Sequence, residues 1–521
     1  MRYNSILLPI VENKNKKTYT PSLSLTSSKG LGERVSMCLS VFSVLLILLP
    51  LPANAHAFGQ RYDLPLPLEV FIWGGAVAVL ISFGIIALFT HHTPIPNAYP
   101  RLNLINNPIG KVLTHPITTG LIRALFTTFF ILIIAAGFFG HQSPLRNISI
   151  VMVWVVAWVG LAFICALFGN FWALINPWNS LFRYAENIRK KLDGGELSLN
   201  KPYPIPLGYW PAFIFFFSFA WLEINWSEAS VPSSVATALS IYTALNFLGM
   251  FVYGRDVWLK HGECFTVVYT LFAKFSITEG KMTDETTEWF LRPPGVGLRN
   301  HGAPTNIPSL SLMLFILLLL STVTYDGFTE TNTFKDATLT YYYFFQDIIG
   351  KGFAETALSL ADTIGLLVFP ILFVAVYLFF ISMIAFMDGE TSNILKLARI
   401  FVFSIIPISI SYHLSHYISL LAIEGQLALR LASDPFGFGW DLFGTAADKA
   451  NIAIINAKFV WYFSVILIVL GHIVAVYIAH AEAIRFYEHR YRALVSQIPM
   501  LVLMVGYTML SLWIIAQPIV G

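Results

Sequence analysis

Two histidines three residues apart, His413 and His416, interrupt a strongly apolar stretch of the chain. Residues three apart on an α-helix share one face, so the two imidazoles are expected to point the same way. The predicted membrane span around them, Ile394–Leu421, runs outward and places both rings in the outer half of the membrane. Ionisable side chains are costly to bury at membrane depth, which makes these two the first candidates for chemistry.

A third histidine and two carboxylates are predicted to lie near them. His472 is near the middle of the next span, and consecutive spans are often neighbours. Asp326 (in TYDGF) and Glu223 (in AWLEINW) lie at the outer ends of two earlier spans. The three histidines would hold zinc or copper, with an open coordination position at which a water is activated. Alternatively, they would act as general bases oriented by Asp326 or Glu223. The alternative is a structural role, in which each histidine bonds a neighbouring carbonyl.

Two further segments are candidates for a binding role. The loop SDPFGFGWDLFGTA carries Asp434, Trp440 and Asp441 among glycines that permit sharp turns. It would fold back as a lid over an outward cavity, or rest its aromatic rings among the lipid headgroups. Near the N-terminus, cleavage after Ala55 would leave His56 as the first residue. Its amine and imidazole would then chelate copper in a histidine brace, or His56 would merely follow a cleavage site.

The composition predicts an all-α, polytopic membrane bundle. Of the 521 residues, 56% are hydrophobic and 12% are charged, whereas about a quarter are charged in soluble proteins. Segments near the roughly 20 residues needed to cross a bilayer predict about ten transmembrane helices after a cleaved signal peptide. The predicted spans are Leu68–Phe89, Thr119–Phe139, Ile148–Trp172, Trp210–Trp226, Val235–Tyr253, Leu310–Tyr325, Ile364–Met387, Ile394–Leu421, Lys458–His480 and Val495–Ile519.

The predicted organisation is simple. Residues 1–55 form a disordered extension plus signal peptide, and residues 56–521 form the multi-pass domain. A long cytoplasmic loop covers residues 254–308, and external loops cover 326–360 and 423–457. Within the cytoplasmic loop, the apolar stretch Trp258–Phe275 would be an interfacial amphipathic helix or a re-entrant segment.

Lysine and arginine alternate between loops in the way that the positive-inside rule requires. The alternation predicts that the mature N-terminus and C-terminus are both extracytoplasmic. The net charge of +3 is small and gives no indication of nucleic acid as a partner. The sequence contains no GxSxG, HExxH, P-loop or GxGxxG motif, so the signatures of common soluble enzymes are missing.

Several segments in order give the chain a family resemblance. They are AHAFGQRYDLPLPLEVFIWGG, INPWNSL, AWLEINW, GRDVWLKHGECF, TYDGF, HYISLLAIEGQ and SDPFGFGWDLFGTA. Together they resemble bacterial polytopic membrane proteins known as fenitrothion hydrolases, over nearly all of the chain after the signal. The resemblance implies a hydrolase of phosphorothioate triesters in a bacterial inner (cytoplasmic) membrane, with a signal peptide and a partner membrane subunit. It carries no catalytic residues over to this chain.

Three functions are therefore expected as alternatives. The first is an outward-facing hydrolase of small lipophilic phosphotriesters, using the metal or base chemistry of His413, His416 and His472. The second is a redox membrane protein that binds copper, or haem b between paired histidines. The third is a transporter or membrane-complex assembly component in which buried acids and histidines relay protons.

Overall fold

A computed structural model describes residues 63–89, 99–282, 287–299, 307–350, 354–388, 393–487 and 490–520. The predicted signal segment and His56 lie outside these residues. The helices are α1 (Leu68–Phe89), α2 (Pro108–Thr114), α3 (Pro116–Phe139), α4 (Ile148–Leu167), α5 (Trp172–Ile175), α6 (Pro177–Asp193), α7 (Trp210–Ile224), α8 (Pro232–Tyr253), α9 (Arg255–His261), α10 (Cys264–Ala273), α11 (Leu310–Thr329), α12 (Asn332–Ile349), α13 (Ala354–Asp388), α14 (Ile394–Phe401), α15 (Ile406–Ile423), α16 (Gln426–Ser433), α17 (Ala457–Phe486), α18 (Arg490–Ser496) and α19 (Ile498–Val520).

Ten helical segments within the described residues are long and apolar enough to cross a membrane. The protein is therefore an all-α, multi-pass bundle whose natural solvent is a lipid bilayer, and the predicted fold class is confirmed. The predicted bounds differ from the observed ones mainly where a helix continues beyond the apolar core, as α17 does to Phe486. Helices extend past the hydrocarbon layer because backbone hydrogen bonding continues into the interfacial region.

The core of the bundle consists of α11, α15, α17 and α19. In the most apolar stretch of α11, 78% of the residues are buried in the protein, against 17% in α1. Side chains of α1 such as Leu80, Ile81 and Leu88 remain exposed. Exposed apolar side chains suit a helix that faces acyl chains, because lipid tails are as apolar as leucine. The central helices are therefore the ones able to shield polar groups from lipid.

The apolar stretch Trp258–Phe275 folds into the bundle. It forms α9 and α10, and Val268, Tyr269 and Phe272 of α10 are at most 1% exposed. α10 packs against α4 and α7, and the Phe272 ring lies 5.9 Å from the His413 ring of α15. This burial favours the re-entrant interpretation over an interfacial helix, because an interfacial helix would leave one face open to water.

The segments between the long apolar helices include a small antiparallel sheet in the order β1 (Leu102–Asn103), β3 (Thr287–Leu291), β2 (Thr278–Met282). Leu291 pairs with both Leu102 and Thr278. The buried Arg292 guanidinium donates to the carbonyls of Ala273 and Lys274 at the end of α10 and lies 3.1 Å from Glu279. Arg292 therefore ties the sheet to α10.

Candidate functional site

The centre of the candidate site is a histidine–carboxylate pair between α15 and α11. His416 Nε2 lies 2.9 Å from Asp326 Oδ2, and the Tyr417 hydroxyl donates to the same oxygen over 2.7 Å. A carboxylate oxygen that accepts two short hydrogen bonds is held firmly and in turn fixes the imidazole orientation. The predicted meeting of His416 and Asp326 is therefore observed in the structure.

Glu223 of α7 joins this pair through Tyr417. The Tyr417 hydroxyl lies 3.3 Å from Glu223 Oε1 and 2.7 Å from Asp326 Oδ2. A phenol has one proton and can donate it to one carboxylate at a time. Glu223, Tyr417, Asp326 and His416 thus form a continuous chain of groups that can exchange protons.

Asp326 and His416 lie close to one end of the bundle and are not fully enclosed. Asp326 is three residues from the end of α11 and His416 is seven from the end of α15, or about 5 and 10 Å at the usual helical rise. Their side chains are 24% and 18% exposed, respectively. The pair therefore sits below the helix ends and keeps part of its side-chain surface exposed.

A glycine brings α11 and α15 together at this pair. A Cβ atom at Gly327 would lie 2.8 Å from the Tyr412 hydroxyl, 3.0 Å from Ile514 Cγ2 and 3.6 Å from His416 Nδ1. A glycine is therefore required here for close helix packing. The same distances place the Tyr412 hydroxyl and His416 Nδ1, the nitrogen that does not face Asp326, close to Gly327.

His413 lies beside the pair and is surrounded by aromatic rings. Its ring centroid is 4.8 Å from those of Trp158 and Tyr417, and the side chain is 1% exposed. Its Nε2 has no hydrogen-bond partner among the described residues. His413 and His416 are thus close together, as predicted, but have different partners.

His472 does not join the other two histidines, and the predicted three-histidine metal site is not formed in this structure. Its Nδ1 lies 2.8 Å from its own helix's Ile468 carbonyl, and its ring packs against Tyr507 of α19. His413 faces α4 instead, so the two imidazoles contact different helices. Within the described ranges, no group of three or more His, Cys, Asp or Glu side chains could hold a metal ion.

The loop predicted as a lid uses its polar groups to hold its own shape. The Asp434 carboxylate accepts from the backbone N–H groups of Phe438 and Gly439, and Asp441 accepts from Ala446. Trp440 packs against Phe436 and Phe438 and is 44% exposed. The backbone of this loop bonds to the turn between α3 and α4. A lid over an outward cavity therefore remains a prediction.

The helix α10, which packs against His413 through Phe272, has a buried acid at its start. Glu263 accepts from the backbone N–H groups of Phe265 and Thr266 and from the Tyr242 hydroxyl at 2.6 Å. Burial raises the pKa of Glu263 above its ordinary value. An acid that caps α10 fixes the position of Phe272, and through Phe272 the packing around His413.

Three aromatic side chains of the site are missing from the sequence-based candidates: Tyr412, Tyr417 and Trp158. Tyrosine and tryptophan in apolar runs usually fill space, so their type alone gives little signal. The position of Tyr417 directly after His416 is the one hint in the sequence. Comparison of the chain with protein-family models, with curated proteins and with solved structures finds no match.

Proposed function

We propose that this protein is a membrane-embedded hydrolase of lipophilic neutral esters, with phosphotriesters as the first substrate class. The observation that carries the proposal is the His416–Asp326 pair, with the Tyr417 hydroxyl on the same carboxylate oxygen. A histidine oriented by a carboxylate is a common general base for activating water. The resemblance to fenitrothion hydrolases points to the same chemistry.

The proposed mechanism begins with a water molecule between His416 Nδ1 and the Tyr412 hydroxyl. The water gives a proton to Nδ1 while its oxygen forms a bond to phosphorus. The bond from phosphorus to the aryl oxygen breaks, and the aryloxide leaves with the electron pair. His416 then returns the proton to the aryloxide or to solvent, and Asp326 holds the imidazole orientation throughout. Each step uses groups on α11 and α15.

A neutral substrate fits this site better than an anion. Asp326 faces it, and its negative charge repels an anionic ester. A lipophilic triester also partitions into the bilayer and would reach the site from the lipid. We further propose that the site and both mature termini are extracytoplasmic, on the strength of the lysine and arginine distribution, and that the membrane is a bacterial inner membrane, on the strength of the resemblance. A partner membrane subunit belongs to the same proposal.

The test is hydrolysis of a neutral aryl dialkyl phosphotriester by purified protein in detergent. His416→Gln should lower kcat/KM by about 10²- to 10⁴-fold, the usual contribution of a positioned acid–base group. His472→Gln is the matched control, because it alters a buried histidine that contacts Tyr507 and Ile468. Equal rates for His416→Gln and the wild type would refute the proposal.

A second candidate is proton-coupled transport, favoured by the placement of Tyr417 between two carboxylates. A hydroxyl 2.7 Å from Asp326 and 3.3 Å from Glu223 can pass a proton from one to the other. Proteoliposomes with an internal pH dye would report such flux. If the protein transports protons, the wild type should show a proton flux and Tyr417→Phe should abolish it. If the protein is only a hydrolase, the wild type should show no flux, and Tyr417→Phe should lower ester turnover.

A further inference from the structure

Helix α6 has one half packed into the bundle and one half at its surface. Trp178 and Phe182 are 3% and 1% exposed and pack against rings of α3 and α8. The Trp178 indole donates to the Thr243 hydroxyl of α8 over 3.0 Å. Further along α6, Glu186 lies 2.7 Å from Arg255, which follows closely on the end of α8. The final two turns of α6 therefore lie at the end of a helix that is long and apolar enough to cross the membrane.

The surface half of α6 carries an apolar stripe that the described part of the chain leaves exposed. Tyr184, Ile188 and Leu192 are 41%, 59% and 80% exposed. Their spacing of four residues places them on one face of the helix. A row of exposed apolar side chains marks a surface that contacts a partner or lipid.

Three lysines accompany the stripe. Lys190 and Lys191 are in the last turn of α6, and Lys191, three residues after Ile188, borders the stripe. Lys201 lies at the same end of α8, because its backbone N–H donates to the Val252 carbonyl over 2.9 Å. All three side chains are exposed, and none forms an ion pair within the described residues.

The acids of α6 do not cancel this positive charge. The helix has only two acids, Glu186 and Asp193, against four basic residues. Asp193 lies 2.9 Å from Arg189, and Glu186 contacts Arg255. Each acid therefore has an arginine partner, and the lysines give the surface half of α6 a positive charge.

The position of the stripe identifies its partner as lipid. Leu248 and Phe251, in the last turns of α8, are 59% and 40% exposed and suit contact with acyl chains. The apolar stripe of α6 continues along the end of this same helix, where hydrocarbon gives way to headgroups. A helix with an apolar face edged by lysines is typical of the membrane interface, and lysine ammonium groups favour anionic headgroups.

We infer that α6 is an interfacial helix that binds anionic phospholipid. Tyr184, Ile188 and Leu192 contact the upper acyl chains, while Lys190, Lys191 and Lys201 bind the headgroup phosphates. This surface is separate from the His416–Asp326 pair, and the inference does not depend on the proposed function.

The test places the photo-reactive amino acid p-benzoylphenylalanine at position 188 of the full chain. The protein is put in nanodiscs with equal amounts of phosphatidylglycerol and phosphatidylcholine of the same acyl chains. After illumination, mass spectrometry identifies the cross-linked lipids. Phosphatidylglycerol should exceed phosphatidylcholine by about fivefold or more, the effect of one lysine near an anionic surface. Position 80 is the matched control, because Leu80 of α1 is 53% exposed on an uncharged face and should give the bulk ratio.

Three results would overturn the inference: equal amounts of the two lipids at position 188, cross-links to a second protein chain, or no cross-linked lipid. The variant arm replaces Lys190, Lys191 and Lys201 together by glutamine, which should lower the lipid ratio to that of position 80. Replacement of all three by arginine should keep the ratio, because the charge is retained. An unchanged ratio in the glutamine variant would also contradict the inference. None of these measurements requires ester hydrolysis, so failure of the hydrolase proposal would leave them valid.

Discussion

Replacing Asp326 with asparagine is the sharpest perturbation of the site. The substitution keeps the size and planar shape of the side chain but removes its charge and one of its two oxygens. Oδ2 now receives hydrogen bonds from His416 and Tyr417, at 2.9 and 2.7 Å. An asparagine amide nitrogen in the place of Oδ2 could accept neither bond, and an oxygen there would lack the charge that strengthens both.

The expected magnitude follows from those two bonds. A hydrogen bond to a charged group contributes about 1.5–3 kcal/mol, so losing both would remove about 3–6 kcal/mol of transition-state stabilisation. At about 1.36 kcal/mol per factor of ten, the loss in kcat/KM is about 10²- to 10⁴-fold. The variant should still fold, because Asp326 keeps 24% exposure and asparagine can be hydrated there.

The assay is aryl phosphotriester hydrolysis by wild type, Asp326→Asn, His416→Gln and the double variant. Residues that act as one unit give a double variant no slower than the slower single variant. We expect this non-additivity. Losses that multiply in the double variant would show that the two side chains act independently. A loss below about tenfold for Asp326→Asn would refute the argument that Asp326 orients the base.

Three other predictions concern the framework of the site. Gly249→Ala should prevent stable folding, measured as loss of monodisperse protein in detergent, because a Cβ there would lie 2.1 Å from the Trp258 ring. Tyr269→Phe leaves the carbonyl of Ala157 without its side-chain donor and should lower stability by about 1–3 kcal/mol in thermal unfolding. Burial raises the pKa of Glu263, so between the ordinary and the raised pKa the native state binds more protons than the unfolded state. The free energy of unfolding therefore falls as the pH rises through that interval. The unfolding temperature of Glu263→Gln should therefore rise relative to wild type from below pH 4.5 toward neutral pH, and a constant difference would contradict the assignment.

The membrane fold is predictable from the sequence because hydrophobic length is a strong and local signal. Leu68–Phe89 has the same bounds in the prediction and in the structure, since the apolar run ends where polar residues begin on both sides. The burial of α10 is less predictable. A ten-residue apolar helix fits an interface or a bundle interior equally well until its neighbours are known.

The site is predictable only in part, because helix rotation decides which side chains meet. Asp326 and His416 are visible as buried ionisable residues at the same predicted depth, and they do pair. His472 has a comparable sequence signal, yet α17 turns it toward Tyr507. The contact of Trp158 with His413 is made from the π-helix Val151–Gly160 within α4, whose register no hydrophobic pattern reveals. The membrane depth of a residue can therefore be predicted from the sequence, whereas the direction in which its side chain points cannot.

The most direct test of the central claim is the turnover of a neutral aryl phosphotriester by the full chain in lipid nanodiscs. The rate is compared with that of the Asp326→Asn, His416→Gln double variant, prepared in the same way and shown to be folded. The account predicts a wild-type rate at least about a hundredfold above the double variant, as expected for a positioned base. Identical rates for the two proteins would contradict the account.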